Sequence, residues 1–258
     1  ISKDGKIIPK VEIEPVEFDG VVVSFVTAHN AEFVKKNKLG KGAEIKLTRS
    51  GEVIPHILEV VVKAKKPDMP DCKYEWSKSG KDIIAIGESS VIELRNLQYF
   101  FSKINAKGFG PAIVNKLYEE KFNTVEKVMK MDVGDYMLLE GVKIKLAEKL
   151  KLNLEMALNN IKLETLMSAS NIFGAGFGER RISAILKVYP NILEDYKKWG
   201  KKEFIEKIIE IDGFDTITGN KFVEHFKEYV KFHKNVNKYI KSFYKVKKNS
   251  NKTIDFSV

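Results

Sequence analysis

Gly108-Phe109-Gly110, followed by Ile113, Val114 and Leu117 on one helical face, is the stretch whose reading decides the fold. The same arrangement returns at Gly141-Val142-Lys143, Gly176-Phe177-Gly178 and Gly213-Phe214-Asp215, and the first glycines lie 33, 35 and 37 residues apart. Each turn leads into an apolar face at i, i+3, i+4, i+7 spacing. After the second, third and fourth turns these faces are Ala147, Leu150, Leu154 and Leu158, then Ile182, Ile185, Leu186 and Tyr189, then Phe222, Val223, Phe226 and Val230. A period of this length marks a repeated supersecondary unit. Helix, tight Gly-apolar-Gly turn, helix is the helix-hairpin-helix arrangement.

Such a turn has a chemical consequence. Glycine accepts positive φ and, lacking Cβ, lets a phosphate approach the backbone. The unpaired N–H groups opening the next helix then face that anion, with the helix dipole in support. The middle residue (Phe109, Val142, Phe177 or Phe214) is expected to tuck inward. Contacts of this kind read the DNA backbone and are indifferent to base sequence. One Gly-x-Gly before a helix is ordinarily just a turn; four in register are more specific. The candidates are Lys107, Gly108 and Gly110, then Gly141 and Lys143, then Gly176 and Gly178. Arg180 and Arg181, two of only four arginines, add forked donors after the third turn, against the reading of a solvated helix face. The fourth turn reads as lengthened, from Gly213 to Gly219, and Asp212 and Asp215 would repel phosphate, which fits a structural role.

Upstream the period is two. Ala43, Ile45 and Leu47 alternate with Glu44, Lys46 and Thr48 after a Gly40-Lys41-Gly42 turn. Residues 20–26 and 52–62 add β-rich runs, and Pro55 suggests an edge or a bulge in the second. The expected class is therefore multidomain α+β: a small β-barrel over 1–66, a connector over 67–90 and an all-α tandem domain over 91–235. From Lys227 to Lys252 nine lysines and interleaved aromatics read either as a one-sided helix or as a basic linker along DNA.

Composition narrows the classes. A net charge of +10 favours polyanionic partners, although 41 of the 45 basic residues are lysine and compositional bias alone would produce that figure. The single Cys72 rules out an internal disulfide and a multi-cysteine zinc site, and the four histidines lack ligand spacing. One cysteine fits a reducing, intracellular setting. No apolar run approaches the roughly 20 residues of a membrane span, and no secretory leader is visible. The first residue, Ile1, fits an excised fragment better than a complete gene product.

Three ordered motifs carry a family resemblance: Pro9-Lys10-Val11-Glu12-Ile13-Glu14-Pro15-Val16, Val26-Thr27-Ala28-His29-Asn30, and Thr48-Arg49-Ser50-Gly51-Glu52-Val53-Ile54-Pro55. They resemble the OB-fold domain of NAD-dependent DNA ligases, and the helix-hairpin-helix units follow in the family's order. The resemblance covers about residues 1–235, and 251–258 is similar to the opening strand of a BRCT domain within a tail of 236–258. It implies a barrel lying across the minor groove opposite a nick, hairpins gripping phosphates, and DNA contacts at Lys3, Thr27, His29, Asn30 and Arg49; Thr27, His29 and Asn30 equally suit holding a loop. The partners implied are nicked double-stranded DNA and an N-terminal adenylation domain of the same ligase, with NAD and Mg serving the full enzyme in replication and repair, and no cofactor in this chain.

Two departures stand out. The family's four-cysteine zinc module is missing, and such a shortened form is associated with viral members. Lys3 stands where the family has an arginine, keeping the charge without the fork. The family's adenylated lysine in Lys-x-Asp-Gly has only Glu17-Phe18-Asp19-Gly20 and Glu210-Ile211-Asp212-Gly213 as look-alikes, and glutamate cannot form the phosphoramide. The chain alone is therefore expected to bind nicked duplex without sealing it. Competing readings are a freestanding repair or recombination factor, a metal-dependent nuclease, for which Asp68, Asp71, Asp132 and Asp135 lack convergent spacing, and an RNA-binding barrel, for which Phe25 is the one strong stacking candidate.

Overall fold

The structure, a computed structural model, describes residues 1–240 apart from 19, 51–53, 88 and 160, and of Phe18, Arg49, Ser50 and Ile54 the backbone alone. The expected BRCT-like strand over 251–258 and the tail from 241 lie outside the described residues. Two compact units are present, Ile1–Ile92 and a second beginning at Glu93.

In the first unit the strands are β1 (Lys6–Ile7), β2 (Lys10–Phe18), β3 (Val21–Thr27), β4 (Glu44–Ser50), β5 (Ile54–Val62), β6 (Tyr74–Trp76) and β7 (Ile83–Ala85), with helix α1 (Ala31–Lys36) between β3 and β4. Gly20, at φ +77°, turns β2 back on β3. The main sheet runs β2-β3-β5-β4, antiparallel except for one parallel pair, Thr27 with His56. Among the described residues β2 and β4 remain edges, so the small barrel expected of this stretch takes the form of a half-barrel sheet. Of the two readings of Pro55 the edge does not hold: β5 is central, the proline sits at its second residue opposite Arg49, and the register shifts against β4 fall further along, at Lys46/Leu47 and Glu44/Ile45. The pleat places Ala43, Ile45 and Leu47 half-buried and Glu44 and Lys46 in solvent, around a core of Val26, Ala28, Val34, Leu39 and Ile57.

The stretch 67–90, expected as a connector, carries structure. Strands β6 and β7 form a hairpin, and β7 pairs with β1 through Lys6–Ile84 and Ile7–Ile83, making a second sheet of order β1-β7-β6.

The second unit contains α2 (Ser89–Lys103, starting before the boundary), α3 (Pro111–Glu119), α4 (Val125–Lys130), α5 (Val133–Met137), α6 (Ile144–Asn159), α7 (Leu163–Ala169), α8 (Glu179–Val188), α9 (Ile192–Asp195), α10 (Lys201–Ile209) and α11 (Thr216–Val236). Every predicted helical face packs inward, with Val114, Leu117, Ala147, Leu150, Leu154, Leu158, Ile182, Ile185, Phe222 and Phe226 buried. Phe173 stacks on Phe222 at 4.6 Å, and burying each such ring stabilises the unit by about 2–3 kcal/mol. Helix α11 runs past Lys227 with Tyr229, Phe232 and Val236 buried, so the aromatics of that basic stretch are core up to Val236.

The fourth turn is not lengthened. Helix α11 begins at Thr216, and Gly219 lies buried within it against α10, where an added Cβ would stand 2.8 Å from Ile209 Cγ1. Gly219→Val is therefore expected to destabilise the unit by about 2 kcal/mol through overpacking, read as a lower urea midpoint. An unchanged midpoint would show that α10 can move aside at no cost.

Candidate nucleic-acid interface

The four glycine corners share one local geometry. In each, the amide of the apolar residue donates to the carbonyl three residues back: Phe109 to Ala106 (3.2 Å), Val142 to Leu139 (3.0 Å), Phe177 to Gly174 (3.4 Å) and Phe214 to Ile211 (3.1 Å). The third residue of each turn is the first glycine, at φ +88°, +74°, +95° and +82° for Gly108, Gly141, Gly176 and Gly213. A side chain at these φ values is strained, which explains the glycines. Phe109, Val142 and Phe177 are buried and Phe214 is half-buried, so the apolar residue anchors each corner from inside. The glycines themselves are exposed.

Outward-facing groups differ from corner to corner. Gly110 and Gly178 are the N-caps of α3 and α8, with ordinary φ (−72° and −73°), no side-chain cap and nothing within 4 Å of an added Cβ. Pro111 opens α3 without an N–H, so the amides of Ala112 and Ile113 there, and those of Glu179 and Arg180 in α8, are left for an external acceptor. At the second corner the carbonyl of exposed Lys143 accepts the opening bonds of α6 from Leu146 and Ala147. The fourth corner is filled by the chain itself. Asp215 Oδ1 accepts from the Thr218 amide at 2.8 Å and the Asp215 amide donates back to Thr218 Oγ1, a complete capping box. These bonds, the backbone one from Thr218 foremost, hold the Asp215 carboxyl below its ordinary range. The position an anion would take at this helix start is held by the chain's own carboxylate.

Carboxylates near the third corner are also accounted for. Glu179 opens α8, but its side chain is turned to Lys103 (2.9 Å) and Thr165 (2.8 Å). Hydrogen bonds from Lys103 and then Thr165 lower its pKa, so it stays ionised and pointed along that pair. Lys107 and Arg180 are exposed at the first and third corners. Arg181 is used differently from its neighbour: its guanidinium lies 5.9 Å from the Phe177 ring centre and 5.4 Å from that of Phe214, and reaches the Gly213 carbonyl at 3.5 Å.

Sequence reasoning missed a set of donors behind the corners. Asn153 Nδ2 on α6 donates to the Lys107 carbonyl at 2.9 Å, Lys116 Nζ on α3 to the Glu140 carbonyl at 2.5 Å, and Lys221 Nζ on α11 to the Ala175 carbonyl at 3.0 Å. A faint signal existed: Lys116 and Lys221 each follow a corner's first glycine, Gly108 and Gly213, by the same interval.

In the first unit Thr27 ends β3, exposed and paired with Lys10 and His56. His29 Nε2 lies 3.1 Å from the Ile57 carbonyl and its ring meets Phe33 edge-on. Asn30 caps α1, accepting from the Phe33 amide at 2.8 Å. Both side chains hold the loop after β3. Lys3 is ion-paired with Asp4 at 3.0 Å, and Arg49 lies in β4 with its side chain outside the described set. Among the described residues no group of three or more His, Cys, Asp or Glu could hold a metal, and no helix is long and apolar enough to cross a membrane.

Residues 1–69 match the NAD-dependent DNA ligase OB-fold domain family. The chain is 40% identical over 241 residues to a DNA ligase of Acanthamoeba polyphaga mimivirus, covering 93% of this chain and 38% of that protein. It is 34% identical over 197 residues to the putative DNA ligase 052L of Invertebrate iridescent virus 3, covering 75% of this chain and 26% of that protein. To the DNA ligase of Ruthia magnifica subsp. Calyptogena magnifica it is 31% identical over 232 residues, 87% of this chain and 36% of the relative. The chain thus spans little more than a third, or less, of each of these relatives.

Proposed function

This chain is related to the NAD-dependent DNA ligases, whose OB-fold domain its first 69 residues match, and from that premise we propose that it clamps nicked duplex DNA for sealing by an adenylation domain of a longer polypeptide. In this reading the half-barrel lies across the minor groove, and the glycine corners act as helix-hairpin-helix units on phosphates of both strands. NAD and Mg serve the adenylation domain, and the chain alone does not ligate. The observation that carries the reading is the pair of exposed, uncapped helix starts at Gly110 and Gly178, set on identical turns.

Three corners supply donors on this account, since the fourth is closed by Asp215. Contacts made by main-chain amides confer no base preference. The test is fluorescence anisotropy of the chain with nicked duplex, intact duplex and single strands of equal length. Duplexes of unrelated sequence are expected to bind alike, the nicked one most tightly, and single strands weakly. A preference for single strands, or for one base sequence, would overturn the clamp.

A further inference from the structure

We propose that Asn153, Lys116 and Lys221 are positioning residues that aim the amides of Gly108, Gly141 and Gly176 at the DNA, each acting on a corner other than the one that opens its own helix. The inference rests on the phosphate-gripping reading above and deepens it. A trans peptide points its carbonyl and its N–H in opposite directions. The Lys107 carbonyl and the Gly108 amide belong to one peptide, as do Glu140 with Gly141 and Ala175 with Gly176. In each, the carbonyl is held from behind by a helix side chain, through Asn153, Lys116 and Lys221. Fixing each carbonyl on the side of its helix donor fixes the glycine amide on the opposite side.

An unheld turn lacks this constraint. The central peptide of a β-turn can rotate between the alternatives that put its N–H on one side or the other, and glycine removes the steric bias between them. The donors make that choice before DNA arrives, which reduces the ordering cost of binding.

The fourth corner supports the assignment by contrast. Its donor, Arg181, bonds to the Gly213 carbonyl, one peptide further on, whose N–H partner is Phe214, already committed to Ile211. The corner that Asp215 closes is thus also the corner whose glycine amide is not aimed. The latches are reciprocal: α3, after the first corner, holds the second, and α6, after the second, holds the first. In the later pair Lys221 on α11 holds the third corner and Arg181 on α8 holds the fourth.

The experiment uses the 15N-labelled 258-residue chain and a short nicked duplex of mixed sequence, comparing wild type with Asn153→Leu, Lys116→Met and Lys221→Met. Asn153→Leu changes no charge, so direct attraction to phosphate is not removed with it. Affinity is expected to fall about fivefold to tenfold in that variant. The Gly108 amide should lose its DNA-induced shift while Gly141 and Gly176 keep theirs. Lys116→Met should silence Gly141 alone and Lys221→Met should silence Gly176 alone, and these two carry the test if Asn153→Leu does not fold. Wild-type glycine amides that respond to DNA and go on responding in all three variants would overturn the positioning role and leave the clamp standing. If none responds in the wild type while DNA is bound, the phosphate reading itself fails.

Discussion

Replacing Gly110 and Gly178 together by valine is expected to lower affinity for every duplex by about a hundredfold while leaving the fold intact. The two positions differ from the first glycines of their corners. Their φ values, −72° and −73°, suit any residue, and an added Cβ meets no protein atom within 4 Å. The cost to the native state is confined to a poorer N-cap, about 1 kcal/mol per site, partly offset by a less flexible unfolded chain. What the valine methyls fill is the space in front of the helix start, where a phosphate oxygen would sit. Losing charge-assisted hydrogen bonds at one corner costs roughly 1.5 kcal/mol, a factor of about ten, and two independent corners multiply. Gly108→Val behaves differently: at φ +88°, with its Cβ 2.9 Å from Leu150 Cδ2, it damages the turn itself and lowers stability and binding together. Thermal unfolding beside a binding isotherm separates the cases. Undiminished affinity in the Gly110/Gly178 double variant would remove the helix starts from the interface.

The corners were legible in the sequence because two independent signals coincide there: a 3.6-residue apolar period, and glycines at a turn position where other residues are strained. In the sequence the fourth corner reads as lengthened because Gly219 resembles a turn residue; in the structure it is a contact glycine between helices, and composition alone does not distinguish the two uses. The hairpin of β6 and β7 left no readable alternation, since each strand has three residues and its third partner, β1, lies far upstream in the chain. Asn30 stands out in the sequence for its place in a motif, yet its local signal is that of an N-cap preceding a six-residue helix too short to show a period. Asn153, Lys116 and Lys221 were invisible for a different reason. Their partners are backbone carbonyls on another repeat, and every residue has a carbonyl.

Raising monovalent salt from about 50 to 200 mM is expected to weaken duplex binding by roughly fortyfold, the fall for a protein neutralising about three phosphates. Lys107, Lys143 and Arg180, all exposed, provide those charges, while the neutral amides of the corners add affinity without adding to the slope. The variants then divide by mechanism. Lys107→Ala, Lys143→Ala or Arg180→Ala should each reduce the slope of log K against log salt by about 0.9, uniformly across DNA sequences. Arg181→Ala should not, because its guanidinium is engaged over Phe177 and Phe214 and at the Gly213 carbonyl; it should instead loosen the fourth corner and lower thermal stability. Adjacent arginines on one helix would thus give opposite signatures, one in the salt slope and one in the melting curve. A slope change in Arg181→Ala equal to that in Arg180→Ala would mean that the latch opens when DNA binds, handing Arg181 to a phosphate. A flat salt dependence in the wild type would exclude phosphate neutralisation as the main source of affinity, whatever the net charge of +10 suggests.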